Sequence, residues 1–280
     1  MRLTDHTIAN RRQRLLARIH RRYVTTTQMV RIGSVNLEFT RIADPDKVLD
    51  EVAAEADRRE RISGRREADE HLHLPYWAEL WDSAAGIGQF LQGIHCRETI
   101  LKLGAGSFAP VEKTDRADET LFPSFSASPH LRVSASPSPG SALDLGCGMG
   151  LSGTIAAALG AKVLFADIES PALLFARLNS LPWADRVRAR RLNWKTDRLA
   201  EQFNLIIGAD ILYERQQWEY LEPFWKHHLA LGGTLLLGEP GRQTGDLFIP
   251  WIQERGWELN IFEEKVPTRE RPVRIFCLGR

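Results

Sequence analysis

The chain has 280 residues, of which 26% are charged, yet its formal net charge is only +1. This length suffices for one large domain or two small ones, and the balanced charge gives no global attraction to nucleic acid or to a membrane surface. Cys96, Cys147 and Cys277 stand at unrelated spacings, which argues against a disulfide framework or a zinc site and favours a reducing, cytoplasmic environment.

The first predicted element is a basic helix. Residues 1–23 hold seven arginines and a single acid, and Leu15, Ile19 and Tyr23 recur at helical spacing, which predicts a helix over Ile8–Tyr23. Because the basic run is short, we interpret it as a solvated helix at a domain edge rather than as a contact for an acidic partner or nucleic acid. It lacks the apolar core of a secretory signal, and no apolar run in the chain approaches the roughly 20 residues of a membrane span.

A hairpin and a charged helix follow. Two β-rich runs within Val30–Ile42 pivot on a Gly-Ser pair, which is typical of a hairpin. Asp44 is a predicted N-cap and Pro45 a first-turn residue of a helix that extends to about Ile62. Its density of acids and bases predicts that most of this helix is exposed.

Segment Leu74–Trp81, of sequence LPYWAELW, places three large aromatic residues close together beside one acid, Glu79. Core packing is the ordinary explanation for such a segment, and the functional alternative is a wall or lid over a ligand pocket. Asp82 and Ser83 are then predicted to cap a helix of small residues, Ala84–Gln92.

Two segments of the chain have similar sequences. Ile100–Gly106 (ILKLGAG) parallels Ala142–Gly148 (ALDLGCG), with Lys102 where the second segment has Asp144. The sequence between them becomes low in complexity, with the tetrapeptide SASP twice, so we interpret 99–141 as a disordered or loosely tethered insertion. Only one of the two segments can be the central strand of a sheet. We choose the second, because a helix pattern and a further strand follow it.

The rest of the chain, 142–280, alternates strand and helix patterns and ends in an antiparallel pair. This order predicts an α/β, Rossmann-like, mostly parallel sheet with helices on both faces, preceded in 1–98 by the basic helix, the hairpin and the aromatic segment. The predicted strands are Ala142–Leu145, Ala161–Asp167, Val187–Leu192, Phe203–Asp210, Thr234–Leu237, Trp257–Val266 and Val273–Leu278. Helices are predicted after the glycines, over Pro171–Asn179, around Trp218–His228 with an end at Gly232-Gly233, and over Asp246–Gly256.

The glycine-rich turn after the first of these strands is predicted to bind a nucleotide-like ligand. Gly148, Gly150 and Gly153 match the dinucleotide fingerprint with Asp167 downstream, but Asp144 before the glycines would repel a pyrophosphate. A ligand with an ammonium group would be attracted by that acid, and the helix N-terminus offers N–H groups to its carboxylate. An amino-acid head with a ribose describes S-adenosylmethionine, whose ribose hydroxyls Asp167 would bind.

These residues make the chain similar to class I, seven-β-strand S-adenosylmethionine-dependent methyltransferases. More closely, it resembles the small protein-lysine methyltransferase group with an Asp-x-x-Tyr motif, over 24–98 and 142–280. The resemblance is carried by LPYWAELW at 74–81, LDLGCGMGLSG at 143–153, Asp167 with Asn179, Asn193-Trp194, and Asp210-Ile-Leu-Tyr213. It implies a seven-stranded sheet. The insertion departs from the group's pattern, and so does Asn193, where the group commonly has an Asp.

The resemblance also implies a site. Its cofactor-binding residues would be Trp81, Asp144, Gly146, Gly148, Gly150, Asp167 and Trp194, and no metal is needed for an in-line methyl transfer. Both tryptophans would give flat apolar surface to the adenosine or a cation–π contact to the sulfonium. Asp210 and Tyr213 are predicted to be catalytic, positioning the incoming amine by hydrogen bonds, with Asp210 helping to take its proton. The alternative for Asp210 is a cap of the following helix.

The expected partner is a protein substrate that presents a lysine. The same core also serves small nitrogenous molecules, and a non-catalytic binding module is the third alternative if the insertion displaces the glycine strand. We expect a monomer with neither membrane nor nucleic-acid partners. Glu79 could reach the pocket or pair with an arginine, whereas Glu239, His227 and His228 are not assigned to the site.

Overall fold

The computed structural model describes residues 5–63, 75–93 and 140–280, and within these ranges it contains nine strands and seven α-helices. The strands are β1 Thr25–Ile32, β2 Val35–Ile42, β3 Ser141–Leu145, β4 Lys162–Asp167, β5 Val187–Arg191, β6 Phe203–Ala209, β7 Leu229–Glu239, β8 Glu258–Glu264 and β9 Val273–Gly279. The helices are α1 Asp5–Ile19, α2 Pro45–Ser63, α3 Asp82–Gln92, α4 Leu151–Ala158, α5 Ser170–Asn179, α6 Trp218–His228 and α7 Gln243–Gln253. The first of the two similar segments, Ile100–Gly106, and most of the predicted insertion 99–141 lie outside the described residues. The division into 1–98, 99–141 and 142–280 stays a prediction.

Seven of these strands form one sheet in the order β5-β4-β3-β6-β7-β9-β8. The first five are parallel to one another, while β9 pairs antiparallel with both β7 and β8. The predicted mostly parallel sheet with a terminal antiparallel pair is therefore confirmed. Because β3 lies between β4 and β6, the second glycine segment stands at the centre of the sheet, as predicted.

The sheet is buried on both faces. Alternate side chains of its strands point to opposite sides, so Phe165 joins the core beneath α3, α4 and α5, whereas Leu143 and Leu145 join the core beneath α6 and α7. That second core is rich in aromatic rings, including Trp218 and Phe248 with centroids 5.3 Å apart. With both faces covered, the carboxyl ends of the parallel strands are where a ligand can reach the centre of the sheet.

The N-terminal elements pack on this core. Strands β1 and β2 form the predicted hairpin, and α1 lies on α5 with Leu15 and Ile19 buried. The interpretation of α1 as a helix that covers a domain edge agrees with this packing. Asp44 accepts a hydrogen bond from the backbone of Lys47 at 3.1 Å, which is the predicted N-cap of α2.

Several predicted boundaries were wrong. Helix α1 ends at Ile19 rather than Tyr23, and α3 begins at Asp82 itself, with Trp81 in the capping position and no side-chain cap. Gly232 and Gly233 do not end α6. The chain passes from that helix directly into β7, because Leu229 already pairs with β6. No described helix is both long and apolar enough to cross a membrane.

Candidate active site

A cleft opens at the carboxyl ends of β3, β4 and β6. It is lined by residues of the aromatic segment 76–81, the glycine turn 146–151, residues 167–169, Trp194 and the segment 209–213. Of the nine predicted site residues, eight contribute to this lining: Trp81, Gly146, Gly148, Gly150, Asp167, Trp194, Asp210 and Tyr213. The fold thus brings together residues that are far apart in sequence, and Asp144 is the predicted residue that it leaves out of the lining.

The glycine turn depends on backbone conformations that only glycine adopts freely. Gly146, Gly148 and Gly150 have φ of 64°, 50° and 82°, in the left-handed region. At Gly150 a Cβ would stand 2.7 Å from the Cβ of Ala176, so the turn packs directly against α5. The turn therefore presents bare backbone to the cleft.

Asp144 lies behind this turn. Its carboxylate accepts hydrogen bonds from Ser152 Oγ at 3.1 Å and from the backbone N–H of Gly153 at 2.9 Å. Burial raises the pKa of Asp144 to about 7, although both hydrogen bonds oppose this shift. The direct attraction of a ligand ammonium group by Asp144 stays a prediction. Within the protein, Asp144 holds the first turn of α4 against the end of β3.

Asp167 stands at the end of β4, where the prediction placed it. Its Oδ2 accepts a hydrogen bond from Gly148 N–H and its Oδ1 one from Glu169 N–H, both at 2.9 Å. Burial raises the pKa of Asp167 to about 6 against the effect of these bonds. Because each carboxylate oxygen has two lone pairs, both oxygens can still accept a hydrogen bond from a ligand.

The two predicted indoles are anchored through their nitrogens. Trp81 Nε1 donates to the carbonyl oxygen of Tyr76 at 2.9 Å, and Trp194 Nε1 donates to Gln217 Oε1 at 3.1 Å. Asn193 forms a local turn, in which its Oδ1 accepts a hydrogen bond from Lys195 N–H at 3.0 Å. With their polar atoms bonded inside the protein, the tryptophans offer ring surface to the cleft.

Asp210 has an unusual backbone conformation at the end of β6. Its φ is 54°, which is rare for a residue other than glycine, and its N–H donates to the carbonyl oxygen of Gly238 at 2.9 Å. Its carboxylate is bonded to Arg242 Nη2 at 2.6 Å. Burial raises the pKa of Asp210, although the guanidinium of Arg242 lowers it. The helical segments that follow have Glu214 and Gln217 at their N-caps, so Asp210 caps neither of them.

Tyr213 lies across the cleft mouth from the aromatic segment. Its ring centroid is 5.6 Å from that of Tyr76 in an edge-on arrangement. Burial, reinforced by nearby carboxylates, raises the pKa of Tyr213 to about 12. The phenol is therefore protonated at neutral pH and can donate a hydrogen bond.

Two residues near the site were not predicted to act there. Arg242 follows β7, the strand beside β6, and no motif in the sequence indicates its pairing with Asp210. Glu239, which we did not assign to the site, accepts a hydrogen bond from Gly241 N–H and pairs with Arg274, outside the cleft lining. Glu79, for which the sequence left two alternatives, lines the cleft and is exposed.

His228 and Cys147 are both buried. The ring nitrogens of His228 lie near the backbone N–H of Leu199 and the carbonyl oxygen of Glu201. Cys147 is buried in the glycine turn, where burial raises the pKa of its thiol well above the usual value. Both side chains serve packing. The described residues contain no group of three or more His, Cys, Asp or Glu side chains that could hold a metal ion.

This strand order, with a glycine-rich turn after the central strand and a buried acid at the end of the neighbouring strand, is typical of class I S-adenosylmethionine-dependent methyltransferases. A model of one family within this class matches residues 78–247, from the aromatic segment into α7. The chain belongs to this lysine methyltransferase family.

Matches to individual relatives cover smaller parts of the chain than the family model does. Protein N-lysine methyltransferase METTL21A of Xenopus tropicalis is 34% identical over 112 residues, which are 38% of this chain and 52% of that protein. The chain therefore matches about half the length of this curated relative. Among solved structures, the glycopeptide N-methyltransferase MtfA with S-adenosylmethionine has 13% identity and a TM-score of 0.45, over 50% of this chain and 81% of its own. A TehB-like methyltransferase from Corynebacterium glutamicum has 25% identity and a TM-score of 0.40, over the same shares.

Proposed function

We propose that this protein transfers a methyl group from S-adenosylmethionine to the ε-nitrogen of a lysine in a protein substrate. The observation that carries the proposal is the pair Asp210 and Tyr213, which lines the same cleft as the glycine turn in a chain of the lysine methyltransferase family. The relative METTL21A is named as a protein N-lysine methyltransferase, which supports a protein as the acceptor.

The cleft is suited to the cofactor. Asp167 keeps acceptor capacity for ribose hydroxyls, the left-handed glycines expose backbone, and Trp81 and Trp194 provide aromatic surface beside it. When bound, S-adenosylmethionine supplies a methyl group activated by its sulfonium. The protein's part is to hold the acceptor nitrogen in line with that methyl group, since proximity and alignment account for most of the acceleration.

Asp210 and Tyr213 would prepare the acceptor. A lysine amine has a pKa of about 10.4, so only roughly one in a thousand is uncharged at pH 7. The buried carboxylate of Asp210 can attract the ammonium and accept its proton. The aromatic walls from Tyr76 and Trp81 would remove water from the amine, which favours its uncharged form. The hydroxyl of Tyr213 can hold the nitrogen by a hydrogen bond.

The position of β3 argues against the non-catalytic alternative. That alternative requires a displaced glycine strand, whereas β3 pairs with both β4 and β6 and its turn lines the cleft.

The mouth of the cleft supports a macromolecular acceptor, because Tyr76 at its edge is 43% exposed and Glu79 is exposed beside it.

The test is incubation of the purified protein with methyl-labelled S-adenosylmethionine and a cell lysate, followed by hydrolysis and identification of the labelled amino acids. We expect label on methylated lysine, greatly reduced with Asp210→Asn. Label confined to small molecules would instead show a methyltransferase for small amines. Calorimetry with S-adenosylhomocysteine gives a separate check, and absence of binding would contradict both enzymatic functions.

We also propose that the protein acts in the cytoplasm as a monomer. The two cysteines that the structure describes, Cys147 and Cys277, are both free and buried, which supports a reducing compartment. Cell fractionation would check the compartment, and light scattering of the purified protein would check the oligomeric state.

A further inference from the structure

The ion pair between Asp210 and Arg242 joins a buried group to an accessible one. The Asp210 side chain is 4% exposed and that of Arg242 is 41% exposed, and the nitrogen–oxygen distance is 2.6 Å. Such a short, charge-assisted hydrogen bond is stronger than one between neutral groups. Asp210 is thus bonded to a fixed positive charge at the place where an acceptor amine would arrive.

Arg242 is itself held in place from several sides. Its backbone N–H donates to the carboxylate of Glu239, and its carbonyl oxygen accepts a hydrogen bond from Arg274 Nη2 at 3.2 Å. Its guanidinium carbon lies 5.4 Å from the ring centroid of Trp81, within the range of a cation–π contact. The guanidinium therefore bridges the carboxylate of Asp210 and an indole that lines the cleft.

We propose that Arg242 is a positioning residue, which keeps the carboxylate of Asp210 ionised and oriented toward the acceptor amine. The inference rests on the function proposed above for Asp210. Arg242 is absent from the cleft lining, so it would act through Asp210 rather than by touching the reacting atoms.

The surroundings of Asp210 explain why a cation is needed. Burial disfavours its charged form, and the carboxylates of Glu239 and Glu79 also raise its pKa, while Tyr213 nearby is uncharged at neutral pH. Arg242 is the neighbour that lowers the pKa, through both its charge and its hydrogen bond. Without this arginine, the carboxyl would be protonated over a wider pH range and could neither attract an ammonium nor take its proton.

The first measurement reads Asp210 directly. Protein labelled with ¹³C-aspartate is titrated by NMR, and the signal of Asp210 is identified by its loss in Asp210→Asn. In Arg242→Met we expect the titration midpoint to rise by about one pH unit or more, with a smaller rise in Arg242→Lys, which keeps the charge. An unchanged midpoint in Arg242→Met would overturn the proposal. If that variant does not fold, Arg242→Gln provides the same comparison.

The chain offers a matched control in Arg255. This arginine also lies over an indole, 3.8 Å from the ring centroid of Trp251, and pairs with Glu219 at 3.1 Å, but none of the three lines the cleft. Arg255→Met therefore removes the same kind of cation–π contact and ion pair elsewhere. We expect it to leave the titration of Asp210 unchanged. A similar shift in this variant would contradict a specific role for Arg242.

The second measurement follows methyl transfer to lysate proteins between pH 6 and 9. We expect Arg242→Met to move the acidic limb of the rate profile upward by the same amount as the NMR midpoint and to regain rate at high pH. The double variant Asp210→Asn/Arg242→Met should be no slower than Asp210→Asn alone, because residues acting as one unit are not additive. An equal loss at every pH, or additive losses, would refute the proposal. If the unaltered protein transfers no methyl group, the proposed function fails, while the titration still decides whether Arg242 keeps Asp210 ionised.

Discussion

Asn179 and Thr40 are joined by two hydrogen bonds across 139 positions of the chain. Thr40 N–H donates to Asn179 Oδ1 at 2.8 Å, and Asn179 Nδ2 donates to the carbonyl oxygen of Thr40 at 3.0 Å. The same Nδ2 also donates to the carbonyl oxygen of Met149 in the glycine turn, at 3.0 Å. A single buried side-chain amide thus links both β2 and the glycine turn to the end of α5.

We therefore expect Asn179→Ala to be strongly destabilising. The substitution leaves buried backbone groups of Thr40 and Met149 without their partner, which costs about 1–3 kcal/mol for each unsatisfied group. Urea unfolding should show a loss of at least ~2 kcal/mol, and calorimetry should show weaker binding of S-adenosylhomocysteine. Asn10→Ala, at an exposed position of α1, is the control and is expected to change stability by less than about 0.5 kcal/mol. Equal stability of the two variants would refute this account of Asn179.

Asp144 should make stability depend on pH. Its pKa is about 7 in the folded protein and near 4 when unfolded, so between these values the folded state binds more protons. The contribution of Asp144 to the free energy of unfolding therefore falls as the pH rises from about 4 to 7. Relative to Asp144→Asn, which does not titrate, the wild type should lose more than about 1 kcal/mol of unfolding free energy over this range. Urea titrations at several pH values measure the difference, and parallel curves for the two proteins would contradict it.

Gly150 should tolerate no side chain. In Gly150→Ala the alanine must adopt a left-handed φ, and its Cβ also clashes with the atoms of Ala176. At Gly256 an alanine would likewise have a φ of 79°, but its Cβ would have no atom within 4 Å. Gly256→Ala should cost about 1–2 kcal/mol from backbone strain alone. Gly150→Ala should cost more and should also weaken cofactor binding, as measured by chemical unfolding and calorimetry. Equal losses in the two variants would exclude a role for the contact with α5.

Tyr213→Phe should reduce methyl transfer without affecting cofactor binding. Loss of one hydrogen bond to the acceptor nitrogen is worth about tenfold in rate, while the ring contact with Tyr76 is retained. Because the pKa of Tyr213 is about 12, its ionisation should produce no limb in the rate profile below about pH 10. Tyr220→Phe, at an exposed ring, is the control. A full rate for Tyr213→Phe would remove this residue from the mechanism.

Much of the fold and of the site could be predicted from local patterns. Alternating strands and helices indicated a mostly parallel sheet, and the helix pattern and further strand after Ala142–Gly148 indicated which strand is central, because such patterns are encoded over a few neighbouring residues. Eight predicted residues line one cleft, since they follow the carboxyl ends of neighbouring strands or belong to the aromatic segment. The errors at Asp82 and at Gly232 concern element boundaries. At Gly232, the pairing of Leu229 with β6 outweighed the local preference for a helix end.

The amino-acid sequence by itself determined the class of the protein and the position of the glycine turn, because both depend on short-range spacing. Only the tertiary structure decided how each acid is used. Asp144 turns inward to Ser152 and Gly153, because α4 folds back over the end of β3. Asp210 meets Arg242 because β6 and β7 pair side by side, and spacing along the chain does not specify that contact. The charge state of a carboxylate depends on burial and neighbouring charges, and these exist only once distant segments have packed together.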